Sequence, residues 1–386
     1  MIANPRTAKP TIALSAGEAS GDLNGARLVA ELKKLRPDLL FWGAGGPRMR
    51  EAGVDLAIDM TAGGTIGLYA TVRSLPLAMK KYVVLRRMLT RRLPDVFVPI
   101  DFGAFNLRLA QVLHKRGVRV VYYFPPSSWR RRPTNARKLL AAGGKVITPF
   151  KWSAEYLVKE GVDARWVGHP IVDIAKPTVD RQAFLRELGL DDSQPVIGLL
   201  PGSRGHEIRE HLVPMIRCAD IIKREMIGAQ FVVAAVGEIP LPPCENRAVG
   251  SSVRVVQDRT YDCMAASDLL ICKSGTATLE AAVIGTPMVI VYRGTPAMRL
   301  EYRLRRRELD DYIGMPNIIA GRGVCPELIN EDVTAENLAD AALTLLTDRE
   351  RLAQMRESLA EVRRSLGEPG AVERAAHAVL EMGGLK

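Results

Sequence analysis

A turn at residues 201–205 has the residue types that could hold a phosphate group. It reads Pro-Gly-Ser-Arg-Gly and directly follows an apolar run, Val196–Leu200, that predicts a buried strand. Glycine lets the main chain approach a phosphate closely, and a helix that begins after the turn offers free N–H groups. The Arg204 guanidinium would add a fork that suits phosphate oxygens. Gly202, Ser203 and Arg204 are therefore candidate phosphate ligands, although the Gly-Lys-Ser/Thr ending of a Walker A loop is missing.

A second turn with similar chemistry lies at residues 273–280, after the apolar run 269–272. Ser274, Gly275 and Thr276 would form another anion cradle at the start of a helix. Glu280 would lie about one turn into that helix, where its carboxylate could accept hydrogen bonds from ribose hydroxyls. Each turn taken alone could equally be an ordinary capped helix start. Two cradles in the same half of the chain favour a nucleoside diphosphate, because such a ligand needs several donors at once.

The first predicted strand, Thr11–Ala16, is followed by a third polar turn with the sequence Gly-Glu-Ala-Ser-Gly-Asp. An α/β sheet opens its ligand crevice at the carboxyl ends of its strands. Glu18 could bind sugar hydroxyls there, and Gly21 could admit a sugar or a phosphate. The turn lacks the G-x-G-x-x-G pattern, so a dinucleotide site is not supported. The alternative is a capped turn, with Asp22 as the N-cap of a helix at 23–35.

Asp101 stands at the carboxyl end of another predicted strand, residues 95–100, and would face the same crevice. A carboxylate in that position suits a general base, but it could equally be the N-cap of the next helix, 105–115. The five histidines have no metal-ligand spacing, and no cluster of His, Cys, Asp or Glu indicates a metal site. The sequence also lacks a G-x-S-x-G nucleophile motif.

Apolar runs that predict strands alternate with helical periodicity along most of the chain. Such alternation indicates parallel sheets with right-handed crossovers, and two such series indicate two doubly wound α/β domains. We expect one Rossmann-like domain at 1–172 and a second at 173–386 that ends in a helical tail. The predicted strands are 11–16, 39–43, 95–100, 118–124 and 145–149 in the first series and 196–200, 231–236, 253–256, 269–272 and 288–292 in the second. The predicted tail helices are 335–346, 349–366 and 371–381.

The composition, with 386 residues, 47% hydrophobic and 25% charged, is that of a globular protein of two domains. Five scattered cysteines without a C-x-x-C pair argue against a disulfide framework or a structural zinc site, and they fit a reducing cytosol. No stretch approaches the ~20 apolar residues that span a bilayer, so we expect a chain that is soluble or lies on a membrane. The net charge of +11 requires an acidic partner or surface, for which nucleic acid, anionic lipid and a phosphorylated substrate are the candidates. Nucleic acid is disfavoured, because no nucleic-acid-binding motif is present and aromatic residues make up only 5%.

A basic and apolar segment at residues 71–93 interrupts the alternation. It holds seven basic residues and no acidic one, interleaved with Leu, Met, Val and Tyr. A helix of this composition suits the headgroup region of an anionic membrane. A surface helix docked on its own domain would show the same pattern, and the sequence leaves both interpretations open. Further basic clusters at 130–132 and 303–307 favour the membrane.

Eight segments of the chain carry a family resemblance: AGEASGD (16–22), GAGGPRM (43–49), LPDVFVPID (93–101), PPSSW (125–129), VGHPIVD (167–173), LLPGSR (199–204), KSGTATLEA (273–281) and MPNIIAGR (315–322). In this order they resemble the lipid-A-disaccharide synthases, over almost the whole chain. The resemblance implies a GT-B fold of two Rossmann-like domains, with the donor nucleotide held mainly by the second. It also implies an inverting, metal-independent glycosyltransferase without a cofactor. That enzyme would transfer diacylglucosamine from UDP-diacylglucosamine to diacylglucosamine 1-phosphate (lipid X).

The resemblance also assigns roles to single residues. The residue matching Asp101 is the base that activates the acceptor hydroxyl. The donor-binding matches are Arg204, Ser274, Gly275, Thr276 and Glu280, and the matches to polar positions of the cleft are Glu18, Ser20 and Asn317. The resemblance further implies a cytoplasmic, peripheral location on the inner face of the bacterial inner membrane, and it leaves room for a homodimer.

The sequence departs from the family pattern at three places in the acceptor-side domain. Ala104 replaces a second Asp after Asp101, the loop at 125–131 lacks a Ser and a Trp, and the segment 66–71 lacks a Glu. These departures keep two alternatives open: another nucleotide-sugar lipid glycosyltransferase with a different acceptor, and a non-catalytic paralogue that binds UDP-sugar or lipid. A hydrolysing UDP-N-acetylglucosamine epimerase is less expected, since its additional catalytic carboxylates have no counterpart.

Overall fold

The computed structural model describes residues 9–60, 68–125, 133–235, 253–294, 299 and 312–385, with 68–78, 133 and 135 described by their backbone. The chain divides into two compact units. The first comprises Met1–Pro170 together with Leu366–Lys386, and the second comprises Ile171–Ser365. Each unit is built around a sheet of its own.

The first unit is an α/β layer structure. Its strands are β1 (Thr11–Ala16), β2 (Leu40–Gly45), β3 (Asp55–Asp59), β4 (Val96–Ile100), β5 (Arg119–Val120), β6 (Tyr122–Tyr123), β7 (Lys145–Thr148) and β8 (Asp163–Trp166). Its helices in the same stretch are α1 (Ala19–Leu35), α2 (Pro47–Glu51), α3 (Leu68–Arg91), α4 (Gly103–His114), α5 (Pro133–Leu140) and α6 (Lys151–Lys159). The strands form a sheet in the order β3-β2-β1-β4-β6-β7-β8, with β5 also paired to β4. The described strand pairs are parallel.

Strand β1 shows why the sheet is covered on both faces. All six of its residues are buried. Ile12 and Leu14 belong to one apolar cluster and Ala13 to another, on opposite faces of the strand. A strand buried on both faces has a continuous apolar sequence, and this is how it was predicted.

The second unit repeats the same layer structure. Its strands are β9 (Val196–Leu200), β10 (Gln230–Ala235), β11 (Val253–Gln257), β12 (Leu269–Lys273), β13 (Met288–Tyr292) and β14 (Glu327–Ile329). Its helices are α7 (Ile171–Ile174), α8 (Arg181–Glu187), α9 (Gly205–Glu225), α10 (Thr260–Ala266), α11 (Thr276–Ile284), α12 (Met315–Ala320), α13 (Ala335–Thr347) and α14 (Arg349–Ser365). The sheet order is β11-β10-β9-β12-β13-β14, with parallel pairs. The predicted α/β class is therefore confirmed for both units.

Most predicted strands lie within a residue or two of their observed limits, and three agree at both ends: β1, β9 and β13. The predicted strand at 118–124 is instead two short strands. Val96 and Phe97 of β4 pair with β5, whereas Ile100 pairs with Tyr123 of β6, so the ladder is interrupted between them. An apolar run does not reveal such an interruption, because the side chains on both sides of it remain buried.

Asp22 is not the N-cap of the first helix. Helix α1 begins at Ala19 with Glu18 as its N-cap, and Asp22 lies one turn inside, only 2% exposed. Its carboxylate accepts hydrogen bonds from the main-chain N–H of Gly46 at 2.7 Å and of Met49 at 3.1 Å. Asp22 therefore satisfies the N-terminal groups of α2, which follows Gly46.

The last helix corrects the predicted domain division. Helix α15 (Ala371–Met382) packs against α1 and β7 and belongs to the first unit, not to a domain at 173–386. Its buried Ala375 and Val379 join the apolar cluster that contains Ile12. Lys145 Nζ donates to the Met382 main-chain oxygen at 2.6 Å, at the carboxyl end of the helix. Periodicity predicted a helix at 371–381, but it carries no information on which sheet the helix packs against.

In its described part, helix α3 packs on the first unit through a buried apolar stripe. Leu85 and Leu89 are 0% exposed and pack in the cluster that contains Phe97. Met79 and Val83, by contrast, are 49% and 42% exposed. Among the described helices, none combines the length and the apolar character needed to cross a bilayer.

Candidate functional site

The two predicted phosphate turns meet at one edge of the second sheet. Strands β9 and β12 are neighbours, and Leu200 pairs with Cys272 at their carboxyl ends. The turns that follow these strands therefore line a common cleft with a cavity volume of about 340 Å³. Its lining residues are Leu200, Gly202, Ser203, Arg204, Glu207, Ala234, Thr260, Lys273, Gly275, Thr276, Ala277 and Glu280.

Gly202 has a conformation that another residue would not tolerate. Its φ is +113°, and a Cβ atom there would lie 2.7 Å from Oε2 of Glu207. That same oxygen accepts the main-chain N–H of Ser203 at 3.2 Å and of Arg204 at 3.4 Å. The turn is thus wrapped around a carboxylate, with Arg204 as the N-cap of α9.

Glu207 and Lys273 form an ion pair that the sequence prediction missed. Lys273 Nζ lies 2.8 Å from Glu207 Oε1, and the two side chains are 15% and 8% exposed. Arg204 Nη1 reaches the same oxygen at 3.2 Å. Burial opposes ionisation of Glu207, but Lys273, the Ser203 N–H and Arg204 outweigh it and lower the pKa of Glu207 to about 2. A Glu three residues after a helix N-cap is a known capping signal and could have pointed to Glu207.

The second turn divides into cleft-lining and supporting residues. Gly275 and Thr276 line the cleft at the N-terminus of α11. Ser274 does not line it, because its hydroxyl donates to the Ile313 main-chain oxygen at 2.8 Å. Glu280 does line it, and it accepts a hydrogen bond from the Tyr261 hydroxyl at 3.1 Å. Burial raises the pKa of Glu280.

Asn317 has a structural role in this conformation. It is 0% exposed, and its side-chain amide donates to the Cys325 main-chain oxygen and to Glu327 Oε1, at 2.8 and 2.7 Å. Its side-chain oxygen accepts the N–H groups of Val324 and Cys325. All four of its hydrogen-bonding positions are therefore used by the protein itself. The expectation that Asn317 contacts substrate does not agree with this geometry.

In the first unit, Asp101 has a strained backbone at the end of β4. Its φ is +46° and that of Phe102 is +53°, values that are uncommon outside glycine. The Asn106 side-chain amide donates to the main-chain oxygens of Ile100 and Asp101, at 3.0 and 3.1 Å. The Tyr122 hydroxyl donates to the same Asp101 oxygen at 2.7 Å. The alternative that Asp101 is a helix N-cap is wrong, since Phe102 occupies that position of α4.

Asp101 and the turn after β1 lie at the same edge, because β1 and β4 are neighbours and Ala16 pairs with Ile100. Burial and the negative charge of Glu18 raise the pKa of Asp101, against a hydrogen bond from the Phe102 N–H. Glu18 is exposed, as is Ser20 in the first turn of α1. Gly21 is buried instead, and a Cβ there would lie 3.3 Å from that of Ala16. Gly21 therefore allows close packing of α1 on the sheet and offers no exposed surface to a ligand.

Comparison with known proteins decides the family. A family model described as lipid-A-disaccharide synthetase matches residues 12–382. A lipid-A-disaccharide synthase from Geobacter metallireducens is 37% identical over 379 residues, which cover 97% of this chain and 98% of that protein. The chain belongs to the lipid-A-disaccharide synthetase family. This chain is therefore a glycosyltransferase of lipid A biosynthesis, as the motif resemblance implied.

Solved structures with low sequence identity show the fold of this chain. A UDP-GlcNAc 2-epimerase from Neisseria meningitidis matches with a TM-score of 0.61 at 13% identity, over 97% of this chain and 100% of that one. The calicheamicin glycosyltransferase CalG4 matches with a TM-score of 0.60 at 16% identity, over 98% and 99%. This chain has the GT-B fold, and the fold prediction is confirmed.

Proposed function

We propose that the protein condenses UDP-diacylglucosamine with diacylglucosamine 1-phosphate (lipid X), inverts the anomeric centre without a metal ion, and releases UDP. The observation that carries this proposal is the cleft of the second unit, in which two glycine turns and Glu280 face a common volume. Such a set of donors and a half-buried carboxylate matches the phosphates and the ribose of a nucleotide-sugar donor.

On the donor side, the proposed phosphate ligands are the Ser203 hydroxyl, the Arg204 guanidinium and the main-chain N–H groups at the start of α11, because the main-chain N–H groups of Ser203 and Arg204 donate to Glu207. Ser203 and Arg204 stand on one side, and Gly275 and Thr276, at the start of α11, on the other. Glu280 is placed to accept hydrogen bonds from ribose hydroxyls. A UDP sugar as the ligand is further supported by the Neisseria meningitidis protein of similar fold, whose structure is described as bound to UDP-GlcNAc.

On the acceptor side, Asp101 is the proposed base. Its carboxylate takes the proton from the acceptor hydroxyl while the hydroxyl oxygen attacks the anomeric carbon and UDP leaves with the electrons of the broken bond. One such displacement inverts the anomeric configuration. A pKa raised by burial and by Glu18 brings the basicity of Asp101 closer to that of an efficient base at neutral pH. Glu18 and Ser20, both exposed at the same edge, are the proposed contacts to sugar hydroxyls.

Helix α3 is the proposed contact with the anionic, cytoplasmic surface of the inner membrane. Its described part exposes the apolar side chains of Met79, Val83, Val84 and Met88, which lie outside the stripe that packs on the first unit. Arg86, Arg87, Arg91 and Arg92 are exposed on the same helix. Both proposed substrates carry acyl chains, and each CH₂ drawn into water costs about 0.8 kcal/mol. An active site held at the bilayer surface avoids most of that cost.

A different lipid acceptor is the second candidate, and Ala104 is the observation that favours it. Ala104 is exposed in the first turn of α4, three residues from Asp101, where the family pattern has a second carboxylate. Of the other two departures, residues 126–131 and 66–67 lie outside the described residues, and 68–71 are described by their backbone. The acceptor assignment thus depends on experiment more than the donor assignment does.

The proposal is tested by incubating the protein with UDP-diacylglucosamine and lipid X in mixed micelles, with and without a chelator. Mass spectrometry should detect the disaccharide phosphate and UDP in equal amounts in both samples. Formation of UDP with a different co-substrate, but not with lipid X, would support the second candidate. Absence of turnover with every acceptor, despite UDP binding, would contradict the catalytic proposal.

A further inference from the structure

A buried ion pair lies inside the donor cleft, and the proposed donor contacts do not use it. Lys273 is the last residue of β12, and Glu207 is the third residue of α9. Their charged atoms are 2.8 Å apart, and both residues line the cavity. Keeping two charged side chains at 15% and 8% exposure costs desolvation free energy. The presence of the ion pair therefore needs a physical explanation.

Both carboxylate oxygens of Glu207 are engaged by hydrogen bonds from other groups of the protein. One carboxylate oxygen accepts from Lys273 and Arg204, and the other accepts the main-chain N–H groups of Ser203 and Arg204. These four contacts hold the glycine turn and the lysine in one arrangement. Arg204, Glu207 and Lys273 together carry a net charge of +1 beside the glycine turn, whereas Glu280, the other charged residue that lines the cleft, lies at the proposed ribose end.

The Lys273 ammonium keeps donors for a ligand. An ammonium has three N–H donors, and the described residues provide one hydrogen-bond acceptor for it, Glu207 Oε1. Its Nζ also lies 5.8 Å from the centre of the Tyr292 ring. Lys273 lies two residues before Gly275, the N-cap of α11, so its charge and the positive end of that helix dipole act on the same space.

Lys273 is better placed than Arg204 to bind phosphate strongly. The Arg204 side chain is 45% exposed, and that of Lys273 is 15% exposed. A charge shielded from water interacts more strongly with a second charge, because the effective dielectric constant is lower. The residue chosen from the sequence is thus the more solvated of the two cations.

We propose that Lys273 is a phosphate-binding residue of the donor cleft and that Glu207 is the positioning residue that holds it and the Gly202–Arg204 turn. The ligand class is a nucleoside diphosphate, in preference to the bare nucleoside. This inference rests on the proposed function, since the diphosphate is that of the UDP-sugar donor.

The first experiment compares UDP with uridine by calorimetry for the wild type, Lys273→Met and Lys273→Arg. Lys176→Met removes an exposed lysine of the same unit and is the matched control. Lys273→Met should weaken UDP binding about ten- to a hundredfold and leave uridine binding unchanged. Lys273→Arg should restore most of the affinity. Retained uridine binding shows that the Met variant is folded.

Glu207→Gln separates positioning from simple charge repulsion. If Glu207 merely repelled the diphosphate, removing its charge would tighten UDP binding. If it holds Lys273 and the turn, the Gln variant binds UDP more weakly, because its amide N–H₂ would face the Lys273 donors.

The outcomes distinguish this inference from the proposed function. A wild type that binds no UDP would overturn the donor assignment itself. A wild type that binds UDP, with Lys273→Met equally tight, would overturn only the role of Lys273. Tighter binding by Glu207→Gln would overturn the positioning role.

Discussion

The Tyr122 hydroxyl donates a hydrogen bond to the main-chain oxygen of Asp101 at 2.7 Å, across neighbouring strands of the first sheet. Together with the Asn106 amide, it holds Asp101 in a left-handed conformation that costs about 1–3 kcal/mol for a residue other than glycine. The neighbouring Tyr123 is equally buried, but its hydroxyl has no hydrogen-bond partner among the described residues. The two tyrosines therefore make a matched pair for testing how Asp101, the proposed base, is positioned.

Tyr122→Phe should lower kcat about tenfold, because a base that is misplaced by a fraction of an ångström transfers protons less efficiently. UDP affinity should not change, since the donor cleft lies in the other unit. Tyr123→Phe should keep kcat and should leave stability equal or slightly higher, because it removes a buried, unpaired hydroxyl. Steady-state kinetics and thermal unfolding of both variants check this. Equal kcat values for the two variants would contradict the positioning role of Tyr122.

Glu18→Gln should move the acid limb of the pH–rate profile to lower pH. Asp101 must be ionised to act as a base, so activity falls as pH drops through its pKa. Burial and then the Glu18 charge raise that pKa above its ordinary value of 3.8, and removing the charge lowers it again. Profiles of kcat/KM for the wild type, Glu18→Gln and the exposed Glu51→Gln provide the measurement. A limb that does not move in Glu18→Gln would show that the two carboxylates are not coupled.

Protonation of His211 at acid pH should make the second unit less stable. Its ring bridges Glu207 and Arg293: Nε2 accepts the Arg293 N–H at 2.9 Å, and Nδ1 lies 2.7 Å from the Glu207 main-chain oxygen. This pairing requires a neutral ring with its proton on Nδ1. Burial lowers the pKa of His211, so the folded form binds the proton less well than the unfolded form does.

The stabilisation from neutral His211 is therefore complete above the unfolded pKa of about 6.5 and is lost as pH falls below it. This one group changes the free energy of unfolding by at most about 1.4 kcal/mol per pH unit. The free energy of unfolding of the second unit, measured with urea at pH 7.5 and at pH 5.5, should decrease less in His211→Gln than in the wild type. The exposed His114→Gln should behave like the wild type. An unchanged pH dependence in His211→Gln would contradict the linkage.

Reversing Arg86, Arg87, Arg91 and Arg92 to Glu should release the protein from anionic vesicles in a flotation assay. Each basic residue near such a surface contributes at most about 1 kcal/mol, and the attraction weakens with salt. The matched control reverses four exposed arginines of α14, with the same change in net charge: Arg351, Arg356, Arg363 and Arg364. Release by both sets alike would indicate a general charge effect and would contradict a specific role for α3.

The sequence pattern located residues that line this cleft because its parts are local, and their binding of a donor remains a prediction. Each turn follows a continuous apolar strand and precedes a helix, and that pattern alone located Arg204, Gly275 and Glu280. The partnership of Glu207 with Lys273 was not predictable in the same way. It depends on β9 and β12 being neighbours in the sheet, and strand order is not encoded in the spacing of residues that lie 66 positions apart.

The misassigned residues share the same cause. Asp22 has the residue type of an N-cap, but it caps the helix after β2, through contacts that span 24 to 27 positions. Asn317 resembles a polar cleft residue, yet its partners lie at residues 324–327 and leave no hydrogen-bonding capacity. Residue type and local pattern show that a polar group needs partners, whereas the tertiary fold decides which partners it meets.

The most direct test of the central claim is the rate of disaccharide phosphate formation by Asp101→Asn, in a preparation whose UDP affinity is measured in parallel. The substitution keeps the size of the side chain and removes its basicity. We expect turnover to fall about 10²- to 10⁴-fold while UDP affinity stays unchanged. Near-normal turnover in Asp101→Asn, with product identified by mass spectrometry, would contradict the assignment of Asp101 as the base.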